Sequence, residues 1–204
     1  MQSFVAITAQ GDSSLRCVTV AATNLADEVD ACNQAGHVCL EKGDRLGALT
    51  HFSRGLQLLG NDPDLRRQIA LLNNLGHVQV SLGKLPEALA TFEQAVRDCL
   101  RLGDQTQLGW QLENVGSVHR DNGQYDAALE MYRRALSAFE HRPEWVGIAD
   151  QYSNIGYILV MQSHLDTALE CFERAKLIYE RHGLERKVSL AEKNIKALRA
   201  HAVC

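Results

Sequence analysis

No stretch of this chain approaches the roughly 20 consecutive apolar residues that a membrane-spanning helix needs, so no membrane partner is expected. Positive charge is not in excess either: 21 Lys and Arg stand against 25 Asp and Glu, for a formal charge of −4. Nucleic-acid binding draws on a basic stripe that displaces counterions from phosphates. The isolated pairs Arg66-Arg67 and Arg133-Arg134 do not make one. Paired cysteines are missing as well. The six cysteines, at 17, 32, 39, 99, 171 and 204, include no C-x-x-C and follow no disulfide framework. They read as the reduced thiols of a cytoplasmic protein, acting as small apolar residues. The opening "MQSFVAITAQGDSS" lacks a basic leader and makes a poor signal peptide. What remains is ordinary: 46% hydrophobic and 23% charged residues over 204 positions, enough to bury a core in one domain or a single elongated array.

The array is written in the glycines. Gly36, Gly76, Gly116 and Gly156 stand forty residues apart, each preceded by an apolar or small residue: Ala35, Leu75, Val115, Ile155. Seven residues after each comes a turn position, Gly43, Gly83, Gly123 and finally Ser163. Next follow Ala48-Leu49, Ala88-Leu89, Ala128-Leu129 and Ala168-Leu169, and then an aromatic ring at Phe52, Phe92, Tyr132 and Phe172. Small residues close the pattern at Gly55, Ala95, Ala135 and Ala175. Such self-similarity at a fixed period marks a tandem array and outranks any local reading.

Each feature has a physical cause. Leu72, Leu75, Gly76 and Gln79 fall on one helical stripe, and Leu85, Ala88, Leu89, Phe92, Ala95 and Val96 on a second. The glycine between them permits a left-handed turn, and Pro86 sits where a helix's first turn tolerates it. Small residues let the two antiparallel helices approach closely, with the aromatic ring filling the adjacent space. Pro63, Gly103, Pro143 and Gly183 break the chain between units, and Asp62 and Asp104 are expected to cap the helices that follow.

This skeleton resembles the tetratricopeptide repeat family over about residues 29 to 182, with a period of 40 where the family's usual one is 34. Longer units of this kind look like those of kinesin light chains, of the spindle-orientation adaptor Pins and of many bacterial repeat proteins. The fold expected is all-α: a right-handed superhelical solenoid of four helix-turn-helix repeats, at about 29–62, 69–102, 109–142 and 149–182, plus a C-terminal capping helix at about 184–201. In the cap the anchor glycine has become Lys196, which disfavours a further packed partner. The solenoid would span 25–204, with residues 1–24 out of register as an arm, either a short hairpin or flexible.

The resemblance implies that the first helices of successive units line a concave groove for a peptide or protein segment. Helical spacing places Asn33, Asn73 and Glu113 three residues before the anchors, Asn74, Asn114 and Asn154 two before, and His37, His77 and Tyr157 one after. Trp110 falls six before its anchor and Arg120 four after. An amide carries both a donor and an acceptor, so a column of Asn can bond an extended backbone whatever its side chains. The alternative is that these amides tie helices together. Trp110 is the aromatic anchor candidate, its alternative being packing at the joint between units two and three. The two-carboxylate clamp of some family members is not matched: Asn74 alone fits, and its Lys and Arg are missing.

Catalysis is not expected, nor any cofactor. No phosphate loop, H-E-x-x-H or G-x-S-x-G is present. "GDSS" at Gly11 is a faint echo of an esterase motif that needs a sheet and a late Asp-x-x-His. His37 and His77 lack a third ligand for a metal and read as polar lining, and His119 as an interior histidine. An interaction adaptor is therefore the leading reading. The alternatives are a homo-oligomeric assembly module using the N-terminal arm, or a peptide-sensing regulator without an output domain of its own.

Overall fold

The computed structural model describes residues 25–60 and 64–201. The expected arm, "GDSS" and the cap at Asp62 lie outside the described residues. Within them the chain forms helices and turns, with no strand. The order is α1 (Leu25–Glu41), α2 (Arg45–Leu59), α3 (Leu65–Ser81), α4 (Leu85–Leu102), α5 (Gln105–Asp121), α6 (Tyr125–His141), α7 (Trp145–Met161), α8 (Leu165–Arg181) and α9 (Glu185–His201). The heavy packing is between helices consecutive in the chain, and α5 also touches α7. This is an all-α solenoid of helix-turn-helix units closed by a C-terminal helix.

The turn inside each unit is built the same way. In the second, the Gly83 N–H bonds the Val80 carbonyl at 2.9 Å and the Lys84 N–H bonds that of Gln79 at 2.9 Å. This pair of bonds satisfies the last carbonyls of a helix and requires a left-handed residue between. Gly83 supplies it at φ 73°, and in the fourth unit Ser163 is forced to φ 63°. Left-handed backbone costs a residue with a Cβ about 1–2 kcal/mol, part of which glycine returns as chain entropy. Ser163→Gly should therefore raise stability by about 0.5–1 kcal/mol, read as a higher urea midpoint at unchanged slope. An unchanged or lower midpoint would count against strain at that turn.

Helix starts are fixed by carboxylates where the sequence supplies them. Asp104 accepts from the Gln107 N–H at 3.1 Å, as expected, and Asp64 caps α3 by accepting from the Arg66 N–H at 3.0 Å. Pro86 lies in the first turn of α4.

The anchor glycines recur at equivalent places in α1, α3, α5 and α7, all buried. Each lies under an aromatic ring of the following helix: Gly36 under Phe52, Gly76 under Phe92, Gly116 under Tyr132, Gly156 under Phe172. A methyl on Gly76 would stand 2.5 Å from the Phe92 ring. The joint between the third and fourth units is made by another ring. Phe139, wholly buried, touches Gly109 of α5 and Gly147 of α7, and Trp110 meets it edge-on at 4.7 Å between centroids. At the far end Ala191, Ile195 and Leu198 of α9 are buried, while Lys196, at the anchor position, is exposed.

Candidate functional site

The odd-numbered helices carry the polar residues singled out by spacing, and two adjoining pockets open along them. One, of about 400 Å³, is lined by Asn73, Asn74 and His77 of α3 with Trp110, Glu113 and Asn114 of α5. The other, of about 660 Å³, is lined by Glu113 and Arg120 of α5, Asn154 and Tyr157 of α7, and Lys187, Leu190 and Asn194 of α9. Glu113 borders both. Asn33 and His37 stand on α1 beside Asn74, outside either pocket.

The asparagines are not a row of independent amides. The Asn74 Nδ2 donates to the Asn33 Oδ1 at 2.9 Å, and the Asn114 Nδ2 to the Asn73 Oδ1 at 3.0 Å. Asn154 and Glu113 hold the equivalent positions one unit on, and the Asn154 amide favours the charged form of the Glu113 carboxyl. Each rung joins the residue two before one anchor to the residue three before the previous anchor. The same column therefore stitches successive first helices together. Asn33, Asn73, Asn74, Asn114 and Asn154 are half-buried rather than sealed.

Beneath the rungs lie two buried amides that the spacing argument missed. Gln111 donates from Nε2 to the Asn73 Oδ1 at 3.2 Å, and Gln151 from Nε2 to the Glu113 Oε2 at 2.7 Å. They stand forty residues apart, five before their anchors, which was the available signal. Ala31 and Leu71 occupy that place in the first two units and break the column.

Ion pairs bound the line at both ends. At the start, Arg67 of α3 grips Asp30 of α1 at 3.0 Å. Toward α9, the Lys187 Nζ lies 2.6 and 2.7 Å from the two oxygens of Asp150, which also accepts from the Tyr179 hydroxyl at 2.6 Å. Burial, together with that bond, pushes the Tyr179 phenol well up. Arg120 pairs with its neighbour Asp121 at 2.8 Å rather than with Glu113. Burial raises the Glu113 carboxyl above the usual carboxylate range; the Gln151 amide pulls it back and Asp150 pushes it further up.

The histidines serve packing and hydrogen bonding. His37 and His77 set their rings edge-on to Phe52 and Phe92 at 5.5 and 5.3 Å. The His77 pKa is lowered by burial. His119 is satisfied by the Gln124 Oε1 at 2.7 Å. Among the described residues no three His, Cys, Asp or Glu are grouped to hold a metal, and no helix is long and apolar enough to cross a membrane. Trp110 lines the smaller pocket, between α3 and α5, and packs edge-on against Phe139 of its own unit.

Residues 69–97 and 109–181 match the tetratricopeptide repeat family. No curated protein sequence matches the chain. Among solved structures, a signal transduction ATPase with numerous domains and a tetratricopeptide repeat sensor, from Pyrococcus horikoshii, aligns with a TM-score of 0.80 at 13% identity. That alignment covers 87% of this chain and 28% of that one. MamA aligns at 0.61 with 23% identity over 87% of each chain. The kinesin light chain repeats of Podospora anserina align at 0.62 with 12% identity, over 85% of this chain and 96% of theirs. At such identities the likeness is one of fold.

Proposed function

From a chain that belongs to the tetratricopeptide repeat family, we propose a non-catalytic scaffold that holds a peptide or protein segment along its odd-numbered helices. The fold is typical of such scaffolds. The observation that carries the reading is the pair of pockets meeting at Glu113, lined by half-buried amides and by exposed Tyr157. A few aromatic anchors supply most recognition energy, and polar groups fix register. The ladder bonds engage the Nδ2 of Asn74 and Asn114, and the Oδ1 of each takes no bond among the described residues. An extended segment could present its N–H groups there.

The test must avoid residues that also hold the array together, which excludes the asparagines. Tyr157 is 48% exposed. A random peptide display library panned on the protein should yield peptides whose affinity falls tenfold or more in Tyr157→Ala, as expected for an aromatic anchor worth at least about 1.4 kcal/mol. The melting temperature should stay unchanged, and Glu130→Ala on an exposed face of α6 should have no effect on binding. Peptides indifferent to Tyr157, or no peptides at all, would remove the proposal.

A further inference from the structure

Resting on the groove reading, we infer that the bound segment presents a basic side chain to Glu113, in the pocket between α5, α7 and α9. The pocket holds three carboxylates and two cations: Glu113, Asp121 and Asp150 against Arg120 and Lys187. Both cations are already committed. Lys187 is clamped on both oxygens of Asp150, and Arg120 is engaged through Nε and a terminal nitrogen with one oxygen of Asp121, at 2.9 and 2.8 Å. Glu113 forms no ion pair among the described residues: the Gln151 amide donates to it, and Lys187, clamped on Asp150, favours its charge only from a distance. One negative charge is therefore left over at the meeting point of the two pockets.

Gln151 gives a second, independent sign. It is wholly buried against Glu113, and its Oε1 has no hydrogen-bond partner. Acceptors thus outnumber donors around this carboxylate, and a half-buried charge without a counter-ion is costly. The neighbouring units do not repeat the arrangement, since Asn33, Asn73 and Ser153 stand where Glu113 does. The walls suit a lysine or arginine. Exposed Leu190 can flank its methylene stem and the ring of Tyr157 its cationic head.

The experiment uses the full chain and the peptides selected from the random display library. In the supporting outcome the Tyr157-dependent peptides carry Lys or Arg. Replacing that residue by Gln then weakens binding to the wild type tenfold or more, but changes nothing in Glu113→Gln. The variant should melt no lower than the wild type, because the amide keeps an acceptor for Gln151 and relieves a buried charge. Tyr157-dependent peptides without a basic residue, or ones that bind Glu113→Gln as tightly as wild type, would overturn the inference and leave the groove reading standing. Absence of any Tyr157-dependent peptide would overturn both.

Discussion

Phe139→Ala is expected to cost about 3–5 kcal/mol, the range for removing a fully buried aromatic ring. The upper half applies for a geometric reason. The ring is wholly buried, and two of the surfaces it touches are Gly109 and Gly147. Neither glycine has a side chain that could swing into the vacated space, so the cavity stays open. Trp110, edge-on at 4.7 Å, loses its partner at the same time. In a tandem array stability is approximately a sum of unit and interface terms, and this ring sits where α5, α6 and α7 meet. Urea unfolding followed by circular dichroism should show a much lower midpoint. A loss under about 1 kcal/mol would mean the site collapses and that the glycine cradle is not the joint's support.

Asn73→Ala is expected to cost about 2 kcal/mol, although the residue lines a pocket and would pass for a surface amide. Its Oδ1 accepts from both Asn114 and Gln111, and Gln111 is only 1% exposed. Alanine leaves a buried donor without a partner, which costs about 1–3 kcal/mol, more than a typical hydrogen bond contributes. Asn73→Asp keeps an acceptor in place and should retain most of the stability. Thermal melts of the two variants decide the matter: equal losses would show that the Oδ1 bonds are not what stabilises the rung. The same bonds make an asparagine double variant a poor probe of ligand capture, since it would weaken the array and the groove together.

The architecture could be read from the sequence because its determinants are local. Gly76 and Phe92 lie sixteen residues apart, within one helical hairpin, and any hairpin of that length brings them together. The repeat of that spacing at Gly36, Gly116 and Gly156 then left one solution. Nine of the eleven groove residues read from spacing line the two pockets for the same reason, Asn33 and His37 on α1 being the exceptions. What those residues bond to was not legible. Asn74 and Asn33 meet only through the offset between α1 and α3, which depends on how whole units settle on each other. Gln151 was hidden because Leu71 takes its place in another unit, and the Asp150–Lys187–Tyr179 cluster because it exists once, where the array meets its cap. The sequence reading put the cap of α3 at Asp62, but the carboxylate that accepts from the helix's first N–H groups is Asp64.

The dominance of packing between consecutive helices has a mechanical consequence. Load applied at one end is handed on step by step, with no strong long-range brace among the described residues to resist it, so the array bends as a leaf spring does, by small deflections shared among many leaves. Whatever occupies two neighbouring pockets at once would set the angle between the leaves it bridges, and so fix the pitch of the spring over that stretch.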